Sequence, residues 1–181
     1  MTRGTLGLLL ALALISPVPA LAQGVSVHAA AGPTLGDAGF SVAGGVAVTP
    51  ATRLTLLGSV ELSHLVSRRG TFPGGGVSRF RGGTFTLVSA EVRLSLFARE
   101  RPGPYGLAGF AVGRSRPNLT DAFPTAASHR VVAPFAGGGL LVPLNGRAAF
   151  FADVRLQLVA GTEADDLHAL VPLRAGLSWR F

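Results

Sequence analysis

The chain closes on HALVPLRAGLSWRF, residues His168 to Phe181, and the alternation in this stretch decides the fold. Ala169, Val171, Leu173, Ala175, Leu177, Trp179 and Phe181 share one parity, while His168, Pro172, Arg174, Gly176, Ser178 and Arg180 share the other. A helix repeats its apolar positions every three to four residues. A period of two belongs to a strand, whose side chains point alternately to opposite faces. The same parity recurs upstream. Phe150, Ala152, Val154, Leu156 and Leu158 oppose Asp153, Arg155 and Gln157, and Val88, Ala90, Val92, Leu94 and Leu96 oppose Ser89, Glu91, Arg93 and Ser95. Leu54, Leu56, Val60 and Leu62 oppose Arg53, Thr55, Ser59, Glu61 and Ser63. Every mid-strand charge in these runs falls on the face that the aliphatic residues leave.

Across residues 25–181, eight runs rich in Val, Leu, Thr, Phe and Ala read as strands, punctuated by Gly, Pro, Asn and Asp clusters. They are Val25–Thr34, Phe40–Val48, Arg53–Ser67, Gly83–Ala98, Pro104–Ser115, Arg130–Pro143, Ala148–Ala160 and His168–Phe181. The odd connections have 5, 15, 14 and 7 residues, whereas the even ones have 4, 5 and 4 and carry Pro50, Pro102 and the Asn145-Gly146 pair. A soluble meander has no reason to keep its short turns at one end. A membrane barrel has short turns on the periplasmic side and longer loops outside. The expectation is an all-β chain folded as an eight-stranded antiparallel up-and-down transmembrane β-barrel. A lipocalin-like soluble barrel alternates equally well with its apolar face inside, so parity alone does not assign the outer face. Three features turn the aliphatic face toward lipid. Only 14% of residues are charged, too few to wet a soluble exterior. Trp179 and Phe181 lie on the aliphatic face at a strand end, where an interfacial aromatic girdle belongs. The first, second, fifth and sixth runs carry little but Gly, Ala, Val, Leu and Phe on both faces.

Composition narrows the function classes. With 181 residues the chain suits one domain, and 48% hydrophobic residues exclude a disordered chain. The absence of cysteine excludes a disulfide scaffold and a cysteine-ligated zinc site. All sixteen basic residues are arginine, against nine acidic ones, for a net charge of +7. Such a balance suggests nucleic acid when the charges cluster. Here they are scattered singly or in pairs through a chain of mean hydropathy +0.47, so no nucleic-acid partner is expected. Residues 1–22 carry Arg3, an apolar run from Leu6 to Ile15, then Pro17, Pro19 and Ala20-Leu21-Ala22. That is the plan of a secretory signal peptide, and the ten-residue run is too short for a membrane helix of about 20 residues. Cleavage before Gln23 would leave residues 23–181 as the barrel domain.

The signal-peptide plan, the eight alternating strands, the run Pro104-Tyr105-Gly106-Leu107-Ala108-Gly109 and the ending Leu177-Ser178-Trp179-Arg180-Phe181 together resemble a known family. It is the small eight-stranded outer-membrane barrels, typified by the transmembrane domain of outer membrane protein A and including related porin-family barrel domains. The resemblance spans the whole of residues 23–181, although its motifs are diffuse. It implies a place in the cell outer membrane, and that Trp179 and Phe181 form the signal read by the barrel-assembly machinery. The plainer reading is that Phe181 merely ends a strand.

Eight strands enclose an interior just wide enough for side chains, whereas water-filled porins use 16 to 18 strands, so solute diffusion is not expected. Counting from the short-turn end, Arg174, Arg155 and Glu91 stand seven residues up and Glu61 eight, with Asp153 and Arg93 two residues lower on their strands. Glu61, Glu91, Arg93, Asp153, Arg155 and Arg174 therefore converge on one interior layer, three charges of each sign. Each is expected to be paired, because an unpaired buried ion is severely unfavourable. An ion-sensitive gate and a structural polar core both fit this layer, and the structural core is preferred.

Some barrels of this size resemble lipid A acyl hydrolases or acyltransferases, which need a serine, a histidine and an acid in reach of one another. Ser26 shares a face with His28 and Ser63 precedes His64, but the His-x-Ser arrangement and neighbouring asparagine associated with the deacylases are missing. No catalytic residue is assigned, and no metal or cofactor is expected, since no two histidines share a ligand spacing. In the longest loop, Arg68, Arg69, Arg79 and Arg81 surround Pro73-Gly74-Gly75-Gly76. Arginine suits bidentate phosphate contact, so lipopolysaccharide is a candidate partner beside the outer-membrane lipid itself, against the plainer reading of solvating charges. The reading is a monomeric structural or surface-interaction protein rather than an enzyme.

Overall fold

The computed structural model describes residues 24–35, 39–66, 68–71, 77–80, 82–118, 128–161 and 168–181. The expected signal peptide lies outside them. In chain order the strands are β1 (Val25–Leu35), β2 (Gly39–Ala51), β3 (Leu54–Leu65), β4 (Arg68–Thr71), β5 (Val77–Phe80), β6 (Gly83–Ser95), β7 (Gly103–Pro117), β8 (His129–Pro143), β9 (Ala148–Val159) and β10 (His168–Arg180). Eight of them close into a barrel in the order β1-β10-β9-β8-β7-β6-β3-β2, and every neighbouring pair is antiparallel. Closure is made by β1 against β10, in register from Ser26 opposite Arg180 to Leu35 opposite Val171. The described residues contain no helix.

The eight expected strands are present, with ends shifted by a few residues. One element is new. Inside the stretch 68–82, which the sequence gives no reason to read as more than a loop, β4 and β5 pair as a two-stranded hairpin apart from the barrel. Its strands have four residues each, too short to show an alternation. The short turns are stabilised locally. In the β8–β9 turn, Asn145 Oδ1 accepts the amides of Arg147 at 2.8 Å and Ala148 at 2.7 Å, an Asx turn of the kind asparagine favours. Where β9 ends, Gly161 takes φ +91°, and a Cβ there would lie 2.6 Å from the carbonyl oxygen of Arg130. Only glycine lets the chain turn away from β9 at this point.

The aliphatic parity faces outward. Val88, Phe110, Leu156 and Leu177 each expose about half of their surface, at 53, 49, 50 and 56%. A wall of this kind would aggregate in water, and hydrocarbon is the surrounding it fits. A soluble barrel with its apolar face inside is thereby set aside. The interior is tiered. At the long-loop end lies an apolar tier of Leu65, Phe85, Leu87, Val131, Val159 and Leu170, all buried. Below it stand the charges, and near the short-turn end a polar tier of Ser26, His28, Thr49 and Ser178. The interior is thus more than a sparse ionic core.

Because the strands alternate between lipid and interior, the cost of a charge depends on depth. Val154→Arg, in the middle of β9 and facing out, is expected to lower stability in lipid vesicles by about 2–4 kcal/mol, and Leu35→Arg at the rim by about 0–1 kcal/mol. Denaturant titration of the vesicle-folded barrel checks this. Equal effects of the two would contradict an outward lipid face.

Candidate functional site

Four strands deliver the charges. Glu61 lies on β3, Glu91 and Arg93 on β6, Asp153 and Arg155 on β9, and Arg174 on β10. Inward parity alone explains why these side chains leave the lipid face. All six are buried, and the structure brings them into one network. Asp153 is its hub. It accepts Arg155 Nε at 3.0 Å, Arg174 Nε at 3.2 Å and the Tyr105 hydroxyl at 3.0 Å, and Arg93 Nη2 lies 3.8 Å away. Glu91 pairs with Arg93 Nε and, at 2.5 Å, with Arg155 Nη1. Glu61 accepts Arg174 Nη1 at 3.2 Å and the Ser63 hydroxyl at 3.0 Å. The three carboxylates and three guanidinium groups balance, which offsets the desolvation each would suffer alone.

Two of these pairs span the barrel. Arg155 with Glu91 joins β9 to β6 across the interior, with β8 and β7 between them in the wall. Arg174 with Glu61 joins β10 to β3, with β1 and β2 between them. Aromatic rings flank the layer. The Arg93 guanidinium lies 4.9 Å from the Phe151 ring centre and 5.2 Å from that of Tyr105, and Arg155 lies 5.2 Å from that of Phe135. Tyr105, on β7, reaches Asp153 on β9 only because β8 presents Gly139 between them. A Cβ on Gly139 would sit 2.8 Å from the Tyr105 hydroxyl and 2.8 Å from Asp153 Cβ. The sequence marks neither residue as a neighbour of Asp153, since Tyr105 opens a strand and Gly139 is the last of three glycines.

Ser26 and His28 do meet, with Oγ and Nε2 3.2 Å apart. His28 Nδ1 has no hydrogen-bond partner, so the acid that would orient a catalytic histidine is absent from this pair. Ser63 turns inward to Glu61, while His64 faces out and meets Thr84 Oγ1 at 3.2 Å, which separates that pair. Among the described residues no group of three His, Cys, Asp or Glu is placed to hold a metal.

Of the loop arginines, Arg68 and Arg69 lie on β4 and Arg79 on β5, where Arg69 and Arg79 are register partners. Arg81 lies outside the described residues. At the same end the structure adds Arg114, Arg116 and Arg130, exposed on β7 and β8, with Arg114 directly opposite Arg130. Like charges in this position repel. Trp179 and Phe181 both point outward at the short-turn end of the barrel, where Phe97 and Phe150 are also exposed.

No protein-family model matches the chain, and no curated relative matches it. Solved structures do. Neisserial surface protein A is similar with a TM-score of 0.68 at 14% identity, over 88% of this chain and 99% of that one. The N-terminal β-barrel domain of Pseudomonas aeruginosa OprF follows at 0.62 and 14%, over 88% and 98%. Ail, the attachment invasion locus protein of Yersinia pestis, solved with the heparin analogue sucrose octasulfate, is similar at 0.51 and 16%, over 87% and 97%. At these identities the likeness is one of fold. The fold of this chain is the eight-stranded outer-membrane-barrel fold of the family that residues 23–181 resemble.

Proposed function

We propose that the chain is a monomeric structural or surface-interaction barrel of the outer membrane, with a filled lumen in place of a diffusion pore and no catalytic role. The observation that carries this reading is the ionic layer, whose pairs run from wall to wall at mid-height. Two cavities beside it among the described residues measure about 10 and 20 Å³, roughly one water each. A path for solutes would require these pairs to separate together. In the same reading residues 1–22 are the export signal, and Trp179 with Phe181 is the element read by the assembly machinery.

Contact with lipopolysaccharide phosphates through Arg68, Arg69, Arg79 and Arg81 belongs to the same proposal. The supporting observation is the gathering of Arg114, Arg116 and Arg130 on the outer face at that end. None of these three has an ion pair among the described residues, and bidentate phosphate contact would relieve their repulsion. That the similar barrel Ail was solved with a polyanionic heparin analogue is in keeping with this.

Planar-bilayer recording tests the lumen. The wild type should show no steady conductance, and Asp153→Ala, which orphans buried arginines, should cost about 3–5 kcal/mol of stability. A steady wild-type current that vanishes in Glu91→Gln would overturn the structural reading in favour of an ion gate. For the loop, replacing Arg68, Arg69, Arg79 and Arg81 by serine should reduce lipopolysaccharide retained through purification, and unchanged retention would remove the contact. Lipid A masses should be the same with and without the protein.

A further inference from the structure

At the short-turn end the barrel opens into a vestibule of about 390 Å³. The β6–β7 turn supplies Arg99 and Glu100, the β8–β9 turn Asn145 and Arg147, and the foot of β10 Arg180. Arg99 reaches across the mouth. It donates Nη1 to Thr49 Oγ1 at 2.8 Å and Nη2 to Ser178 Oγ at 3.0 Å and Ser26 Oγ at 3.4 Å, hydroxyls of three other strands. Arg180 Nη2 donates to the Gly146 carbonyl at 3.3 Å. Every one of these acceptors is neutral. The Arg147 guanidinium has no hydrogen bond or ion pair among the described residues, and Glu100 makes no ion pair with any of the three arginines. Asn145 commits Oδ1 to the turn amides and keeps its NH2 as a donor.

Three arginines thus line one cavity with a single carboxylate in its wall. Burial first, then the charges of Arg180 and Arg93, hold the Arg99 guanidinium below the usual arginine range, and Glu100 offsets this only in part. A partly buried cluster of like charges is unfavourable unless an opposite charge joins it.

We propose that the vestibule binds the phosphate group of a small phosphoester, gripped by Arg99, Arg147 and Arg180. Guanidinium forks match phosphate oxygens bidentately, and that geometry favours phosphate over a simple halide. The volume lies within the range of small-molecule sites and exceeds one phosphate ion, so the group is carried on a larger body. That body is either a lipid headgroup or a soluble ester.

The test uses the barrel folded in a non-ionic detergent, with glycerol 3-phosphate as the soluble probe and phosphatidylglycerol as the lipid probe. Calorimetry reads the first and native mass spectrometry the second. Saturable binding of at least one probe is expected, weakened at least tenfold in Arg99→Gln and in Arg147→Gln. Arg53→Gln and Arg101→Gln, at the same end but outside the vestibule wall, should bind as the wild type does. Which probe binds assigns the source of the phosphate. Arg147 lies in an exposed turn, so its variant folds even if the Arg99 variant does not, and heat-shifted gel mobility checks each. Failure of the wild type to bind either probe, or equal weakening by Arg53→Gln and Arg147→Gln, would overturn the proposal.

Discussion

In hydrocarbon a backbone amide or carbonyl has no water to turn to, so a sheet that crosses a membrane must have no free edge. The ladder between β1 and β10 meets that constraint, and the rest of the molecule depends on it. Once the first and last strands are paired, every residue of the wall faces either lipid or the interior. A polar side chain then has only one place to go. The short turns follow from the same closure, because consecutive strands are neighbours throughout the barrel apart from the β4–β5 hairpin set aside from it.

Closure creates a second problem, which the ionic layer answers. Eight strands leave a narrow interior that side chains themselves must occupy. Here it is divided by chemistry, with aliphatic residues toward the long loops, charges at mid-height and hydroxyls near the short turns. The charges are arranged so that no carboxylate serves one partner only. Asp153 meets three arginines and a tyrosine, and Arg155 bridges Asp153 to Glu91 on the far wall. Removing one member would leave its partners buried and uncompensated, which costs more than the pair contributes. The glycines serve this packing. Gly139 gives Tyr105 its route to Asp153, and Gly176 leaves room for Phe151, whose ring would stand 2.7 Å from a Cβ there.

Much of this was legible in residue order, for a definite reason. Period two is a local signal, and it survives in Leu54–Leu62, Val88–Leu96, Phe150–Leu158 and Ala169–Phe181 without knowledge of any partner strand. The six interior charges could be found by counting up each strand, because height depends on little beyond the 3.3 Å or so that a strand rises per residue. Which charge meets which could not, since barrel shear offsets the strands and long arginine side chains cross the axis. The apolar tier was equally hidden. Leu65, Leu87 and Leu170 are inward, Leu62, Leu94 and Leu173 outward, and leucine itself carries no label for either face. The β4–β5 hairpin has strands too short for a period, and Arg99 sits in a turn, where nothing in the sequence announces that its side chain reaches back over the mouth.

Ion pairs through the interior brace distant walls of the barrel. A double-mutant cycle between Arg155 and Glu91, using Arg155→Met, Glu91→Gln and the double variant folded in vesicles, addresses this bracing most directly. For residues within one buried network the coupling is expected at about 1–3 kcal/mol, with the double variant less destabilised than the sum of the singles. A coupling near zero would mean that the two side chains do not meet, and that the barrel holds its shape without them.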